Sequence, residues 1–144
     1  MQDEDAVKKE LLSSSKNIAI IGLSPKEDKP SNGVAKYLKN AGYRIIPVNP
    51  AYDEILEEKC YHTLSEIPDK IDIVDIFMRP DKIIPFVQEA VKIKPGCIWL
   101  QLEIVNEAAK KTAEECGITF FMDCCIKREH ERLFKKNKDC QFNP

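Results

Sequence analysis

The chain is short of the residues from which most small catalytic and cofactor sites are built. Only two histidines and five glycines occur among 144 residues. The glycine triplet of dinucleotide-binding turns is missing, as are a P-loop, a G-x-S-x-G elbow and an H-E-x-x-H pair. No apolar run nears the roughly 20 residues of a membrane-spanning helix. Nor is one charge sign in excess: 22 basic and 24 acidic side chains are interspersed, for a net charge of −2. A nucleic-acid binder shows a basic excess or a basic stripe. Neither a membrane nor a nucleic acid is therefore an expected partner.

The six cysteines contain no Cys-x-x-Cys pair, the spacing from which zinc sites are usually assembled. Cys124, Cys125, His130 and Cys140 do not make up for it, and no metal site is expected. The opening MQDEDAVKKELLSSSKN is acidic and polar, unlike a secretory signal. A cytoplasmic location with reduced thiols follows as an expectation. Cys60, Cys97 and Cys116 sit among apolar neighbours and read as small core residues. His62 and His130 read as surface residues, and Cys125 has no base near it in sequence. No catalytic residue is assigned.

What the chain does have is the composition of one soluble globular domain, 43% hydrophobic and 32% charged. Its organising stretch is Asn17–Asn40. The run Ile18-Ala19-Ile20-Ile21 reads as a buried strand ended by Gly22. A loop holding Pro25 and Pro30 follows, and Ser31 is positioned to cap a helix whose apolar face carries Val34, Ala35, Tyr37 and Leu38. Strand, glycine turn and helix open a βαβ unit, whose helix start suits an anion.

Four further strands are predicted at Tyr43–Val48, Ile71–Phe77, Cys97–Gln101 and Ile118–Met122. Helices are predicted over residues 4–12, from Ile83 to Ile93, after a cap at Asn106, and over Ile126–Phe134. Asp75 interrupts the third strand either as a buried, hydrogen-bonded carboxylate or as an edge residue. Strands alternating with helices imply an α/β fold with a doubly wound, five-stranded parallel sheet in a single domain. The boundaries are a helical extension over 1–16, the domain over 17–136 and a polar tail over 137–144. Ligands of such sheets sit beyond the C-terminal strand ends. That nominates Gly22–Ser24, Val48–Pro50, Phe77–Pro80, Leu100–Gln101 and Met122–Cys125. Arg79 is the best-placed cation among them. The second strand ends in Val48-Asn49-Pro50, without the acidic residue that holds an NAD ribose, and Asn49 can hydrogen-bond a ribose or a base edge.

Several blocks in order, IIGLSPKEDKPSNGVAKYL, GYRIIPVNP, EEKCYHTLSEIP, VDIFMRP, IWLQLEIVNEAA and MDCCIK, resemble the small single-domain CoA-binding proteins. These are a Rossmann-like family similar to the CoA-binding domain of succinyl-CoA synthetase and of the ADP-forming acyl-CoA synthetases. The resemblance runs from about Ile18 to Leu133 and implies that coenzyme A (CoA) or an acyl-CoA is the ligand. It implies that Gly22, Ser24 and Pro25 approach the diphosphate, with Leu23, Lys29, Ser31 and Val34 around that turn. Val48, Asn49 and Pro50 would surround the adenosine, and Phe77, Met78, Arg79 and Pro80 the adjoining part. Trp99, Gln101 and Asn106 fall on the pantetheine side, and Cys125 on the last strand-end turn. Lys26, Lys29 and Arg44 are near enough in sequence to meet the 3′-phosphate. The chain departs from the family's Met-Asp-Arg-Cys at Met122-Asp123-Cys124-Cys125, which removes a cation from that turn. The resemblance implies binding and supplies no catalysis. The alternatives are a subunit or remnant of an acyl-CoA synthetase that needs a partner chain, and an NAD-type nucleotide-responsive regulator.

Overall fold

The β-branched run after Ser15 forms strand β1, Asn17–Ile21, with four of its five residues buried. A computed structural model of the chain describes residues 3–135. Helix α1, Glu4–Ser14, precedes β1; helix α2, Pro30–Asn40, and strand β2, Arg44–Val48, follow it. A small hairpin pairs β3, Glu54–Ile55, with β4, Glu58–Lys59. Strand β5, Ile73–Ile76, leads to α3, Ile83–Lys92, and then to β6, Cys97–Leu100. Helix α4, Glu107–Glu115, strand β7, Thr119–Phe121, and helix α5, Ile126–His130, complete the alternation. A single π turn over Glu131–Lys135 extends α5. The polar tail over 137–144 lies outside the described residues.

Strands β2, β1, β5, β6 and β7 form, in that order, one parallel sheet. The expected doubly wound, Rossmann-like α/β domain is what the chain adopts. From β1 the chain steps outward to β2, then returns past β1 to β5. That reversal opens a crevice between the C-terminal ends of β1 and β5, where open α/β sheets hold ligands. Ile21 pairs with both Val48 and Ile76, so three strands end level at its floor.

Alternating side chains build two cores. Ile18, Ile20, Ile73, Trp99 and Phe121 pack with Leu12 of α1, Val34 and Leu38 of α2, and Ile126 of α5. Ala19, Ile21, Val74, Ile76 and Leu100 pack with Ile83 and Val87 of α3 and Ala109 and Ala113 of α4. Each fully buried large side chain contributes about 1.5–3 kcal/mol relative to exposure, so both faces of the central strands are firmly held. Pro47, which cannot donate to a ladder, is accommodated because β2 is the edge strand; its carbonyl accepts from Tyr61 N at 3.0 Å.

Three expectations change. Strand β5 starts at Ile73 rather than Ile71, because the Asp72 carboxylate leaves the strand pattern to accept from Lys16 N at 2.9 Å and Asn17 N at 3.0 Å. Cys116 is exposed, since it stands at the C-cap of α4, past the helix's buried stripe. His130 is half-buried: its Nδ1 lies 2.7 Å from the Tyr37 hydroxyl, and its ring packs against Tyr43 and Phe134. Among the described residues, no helix is long and apolar enough to cross a membrane.

Candidate functional site

The crevice is organised at Gly22. Its φ is +83°, and a Cβ built there would stand 2.4 Å from the Phe77 carbonyl oxygen and 3.1 Å from Met78 Sδ. The position therefore needs glycine twice over, for its left-handed backbone and for the approach of the β1 and β5 ends. Two ladder-like bonds fix the turn, Gly22 N to Val48 O at 2.9 Å and Phe77 N to Ile21 O at 2.9 Å.

Two cavities flank this point and share Gly22, Phe77 and Met78. One, of about 550 Å³, is lined by Ile21, Val48, Asn49, Pro50, His62, Thr63, Phe86 and Glu89. The other, of about 460 Å³, is lined by Ser24, Lys29, Pro30, Ser31, Arg79, Pro80 and Leu102–Ile104. The first is the more apolar. The second borders the start of α2, whose first turn holds no acidic residue and whose N-cap, Lys29, makes no side-chain cap. The positive end of the helix dipole thus faces a cavity that also carries Lys29 and Arg79. Glu103 is the one carboxylate on that wall.

Side chains from α2 and β2 hold the loop between the cavities. Ser31, expected as the helix cap, instead accepts from Ser24 N through its Oγ at 3.0 Å, because the helix begins at Pro30, with Lys29 as the N-cap two residues earlier. Asn32 Nδ2 donates to Ser24 O at 2.9 Å. Asn49, expected to meet a ribose or a base edge, has its amide engaged at both ends: Nδ2 donates to Leu23 O at 3.1 Å, and Oδ1 accepts from Ala51 N at 2.9 Å. These bonds fix the amide at the cavity wall and leave one N–H and one oxygen lone pair for a ligand.

The structure thus brings together Gly22, Ser24, Lys29, Ser31, Val48, Asn49, Pro50, Phe77, Met78, Arg79 and Pro80. The remaining nominees lie elsewhere. Leu23 and Val34 are buried in the α2-side core, and Pro25 is exposed on the loop. Trp99 is fully buried and donates from Nε1 to Cys124 O at 2.8 Å. Gln101 is buried beneath the crevice, its Nε2 donating to Asp75 Oδ1. Asn106 caps α4 through Ala109 N at 2.9 Å, and its Nδ2 reaches Pro80 O at 3.4 Å. Cys125 is the N-cap of α5 and packs in the α2-side layer. Arg44 sits at the start of β2, four residues before the level strand ends, and pairs with Asp69 at 2.9 Å. Cys124 faces α1 beside Lys8, and burial pushes its thiol up to about 11. The turn that departs from the family pattern therefore lies off the cavities.

His62, Thr63, Phe86, Glu89 and the segment 102–104 were not singled out from sequence. Thr63 carried a readable signal, because Thr63-Leu64-Ser65-Glu66 forms a capping box in the structure. The 102–104 wall is fixed by Asp123, whose Oδ1 accepts from Glu103 N at 2.8 Å and whose N donates to Ile104 O at 3.2 Å.

Comparison with known proteins agrees in one direction. The family described as "CoA binding domain" matches residues 16–131. The uncharacterised protein YneT of Bacillus subtilis is 43% identical over 122 residues, covering 85% of this chain and 90% of YneT. An ADP-forming acetate–CoA ligase of Methanocaldococcus jannaschii is 40% identical over 78 residues, 54% of this chain but 11% of the ligase. A solved hypothetical protein from Pyrococcus horikoshii superimposes with a TM-score of 0.87 at 39% identity, covering 92% of this chain and 99% of that one.

Proposed function

The chain belongs to the CoA-binding domain family, and from that premise we propose that its crevice binds CoA or an acyl-CoA, with no catalysis of its own. The adenosine occupies the apolar cavity bounded by Val48, Asn49 and Pro50. The diphosphate lies at the Gly22 turn and the start of α2, and the pantetheine arm runs along Met78–Pro80 and Leu102–Ile104. The observation that carries this reading is the close backbone approach at Gly22 beside a helix start with no side-chain cap and no acidic first turn: a positive dipole end and the Lys29 and Arg79 cations face a phosphate group there. The absence of a carboxylate at the end of β2 favours CoA over NAD, because CoA brings a 3′-phosphate that a carboxylate would repel. Lys26 and Lys29, on the loop before α2, are the cations near that turn. The proposed setting is the cytoplasm, with the thiols reduced. A second reading, a CoA-binding portion acting with a partner chain in an acyl-CoA synthetase, is supported by the match to the acetate–CoA ligase. It predicts turnover once the partner is supplied.

Isothermal titration of CoA tests the first reading, and Arg79 gives it a local probe. Arg79 lines the phosphate-side cavity, but its side chain is 75% exposed and its Nε lies 3.3 Å from Asp81. Exchanging one exposed ion pair for another is worth at most about 1 kcal/mol, so Arg79→Ala should weaken CoA roughly three- to fivefold. Unchanged affinity would remove Arg79 from the site. No saturable binding by the wild-type chain would remove the reading itself.

A further inference from the structure

Two buried side-chain oxygens have no hydrogen-bond partner among the described residues, Asn32 Oδ1 and Asp75 Oδ2. Asp75 is fully buried in the central strand β5, between Ile20 of β1 and Trp99 of β6, and so faces the α2 side of the sheet. Asn32 is buried in the first turn of α2, the helix packed on that same face. A carboxylate and an amide oxygen only accept, so as an ionised pair they cannot satisfy one another, and each carries a desolvation cost. One proton changes this, because a carboxylic acid both donates and accepts. Burial pushes the Asp75 carboxyl up to about 8, against a smaller lowering by the Gln101 hydrogen bond, so the folded chain holds that proton at neutral pH.

The partners of these two residues lead to two walls of the phosphate-side cavity. Asn32 Nδ2 holds Ser24 O. Gln101, which donates to Asp75 Oδ1, begins the loop whose Ile104 N donates to Gln101 O at 3.0 Å. Ser24 and Ile104 both line the cavity. We propose that Asp75 is a positioning residue for the crevice: as a neutral carboxylic acid it accepts from Gln101 and donates toward Asn32, directly or through one water molecule, tying the 22–29 loop to the 101–106 loop from below. Ligand binding is then coupled to the protonation of a residue that never touches the ligand. Only the ligand readout of this inference rests on the CoA reading.

Other titratable groups face this layer. Cys97 of β6 and Cys124 after β7 are thiols that burial holds well up, so both stay neutral near pH 8. Burial lowers Lys8 of α1, but its hydrogen bonds to Glu129 and Glu4 outweigh that and keep it charged. Tyr37, Tyr43 and the Cys60 thiol, all pushed up by burial, share the layer with His130, Cys125 and Glu129, whose carboxyl Arg132 and Lys8 hold down. Asp75→Asn leaves all of them in place. Its amide can accept from Gln101 and donate toward Asn32 at every pH.

The experiment has two arms. In the ligand-free chain, NMR titration from pH 6 to 10 should move the Asn32 side-chain amide and the Ser24 and Ile104 backbone amides together, with one alkaline midpoint. In Asp75→Asn that step should vanish. By calorimetric titration, wild-type CoA affinity should fall at least fivefold across the same midpoint. Asp75→Ala should lose about tenfold at pH 7, and Asp75→Asn should recover most of that loss and show no alkaline step. Stability supplies the sign. The unfolded chain releases this proton near 3.8 and the folded chain only near 8, so the stability it carries is present at acid pH and is lost as pH rises through that interval. The melting temperature of Asp75→Asn should exceed that of wild type by a margin that widens from pH 4 to pH 8. An amide step that persists in Asp75→Asn, or no step in wild type, overturns the proposal. Failure of CoA to bind at any pH rejects the ligand reading, and the amide arm then decides the positioning role alone.

Discussion

Gly22→Ala is expected to destabilise the chain by about 2–5 kcal/mol, from a left-handed backbone cost of roughly 1–2 and a packing cost of roughly 1–3. The added Cβ would meet the Phe77 carbonyl at 2.4 Å, and this neighbour is backbone in the central strand region, which cannot swing aside. Relief must come from parting the ends of β1 and β5, which form the floor of the crevice. CoA affinity in the folded fraction should therefore fall more than tenfold as well. Gly33→Ala is the internal control. That glycine lies inside α2 with nothing within 4 Å of a built Cβ, so alanine should be neutral or stabilise by up to about 1 kcal/mol. Urea unfolding of the two variants, side by side, measures both. Equal midpoints would mean that Gly22 is not the constrained point of the fold.

Lys8→Ala is the second large effect, at about 2–3 kcal/mol. Lys8 is 4% exposed, and its ammonium is bonded to Glu129 at 2.8 Å and Glu4 at 3.1 Å and lies 5.1 Å from the Phe121 ring centroid. Breaking a buried pair usually costs about 3–5 kcal/mol. The expected cost is less here because Glu129 keeps Arg132, at 2.9 Å. Arg132 also grips Asp5 at 2.7 Å, so α1 is tied to α5 and the π turn after it at two points. Lys8→Met, which keeps the stem and adds no charge, should lose less than Lys8→Ala. The hydrogen bonds from Arg132 and then Lys8 hold the Glu129 carboxyl below its ordinary value, against the raising effect of burial. Its contribution is thus present above the unfolded value of 4.5 and is lost as pH falls through the lower folded one. Thermal melts at pH 7 and pH 3 read both effects. A Lys8→Ala variant that melts with wild type at pH 7 would show that the Lys8 ion pairs contribute nothing to the docking of α1.

The strands were legible because they are short apolar runs buried on both faces, as β1 and β6 illustrate, and their alternation with helices gives the doubly wound order. Positions along the strands were legible too, which is why Gly22, Val48 and Phe77 converge. Which face a residue takes was harder to read. Trp99 and Gln101 sit at the C-terminal end of β6, yet alternation turns both into the buried layer under α2, beneath the cavity walls and not onto them. The hairpin β3–β4 was invisible because its turn residues, Leu56 and Glu57, adopt φ of 54° and 65° without the Asn-Gly signature such turns prefer. A tertiary contact supports it: Lys39 Nζ donates to Leu56 O at 2.8 Å and pairs with Glu58 at 3.0 Å. Ser31 was read as a cap from its type and its place just before the apolar stripe of α2, whereas the preceding proline moved the helix start and freed its hydroxyl for Ser24. Asp75 left two readings open, and only the sheet order, which puts β5 in the middle, makes it a fully buried acid.

Ligand discrimination tests the central claim most directly. CoA, dephospho-CoA and NAD should be titrated side by side into the wild-type chain at one stated salt concentration. All three present a diphosphate to the Gly22 turn, so they differ at the ribose and beyond it. The β2 end offers Asn49 with its amide engaged and no carboxylate for free ribose hydroxyls, while Lys26 and Lys29 stand on the adjacent loop. CoA should bind more tightly than dephospho-CoA, and NAD weakly or not at all. NAD as the tightest of the three would contradict the assignment of this crevice to CoA.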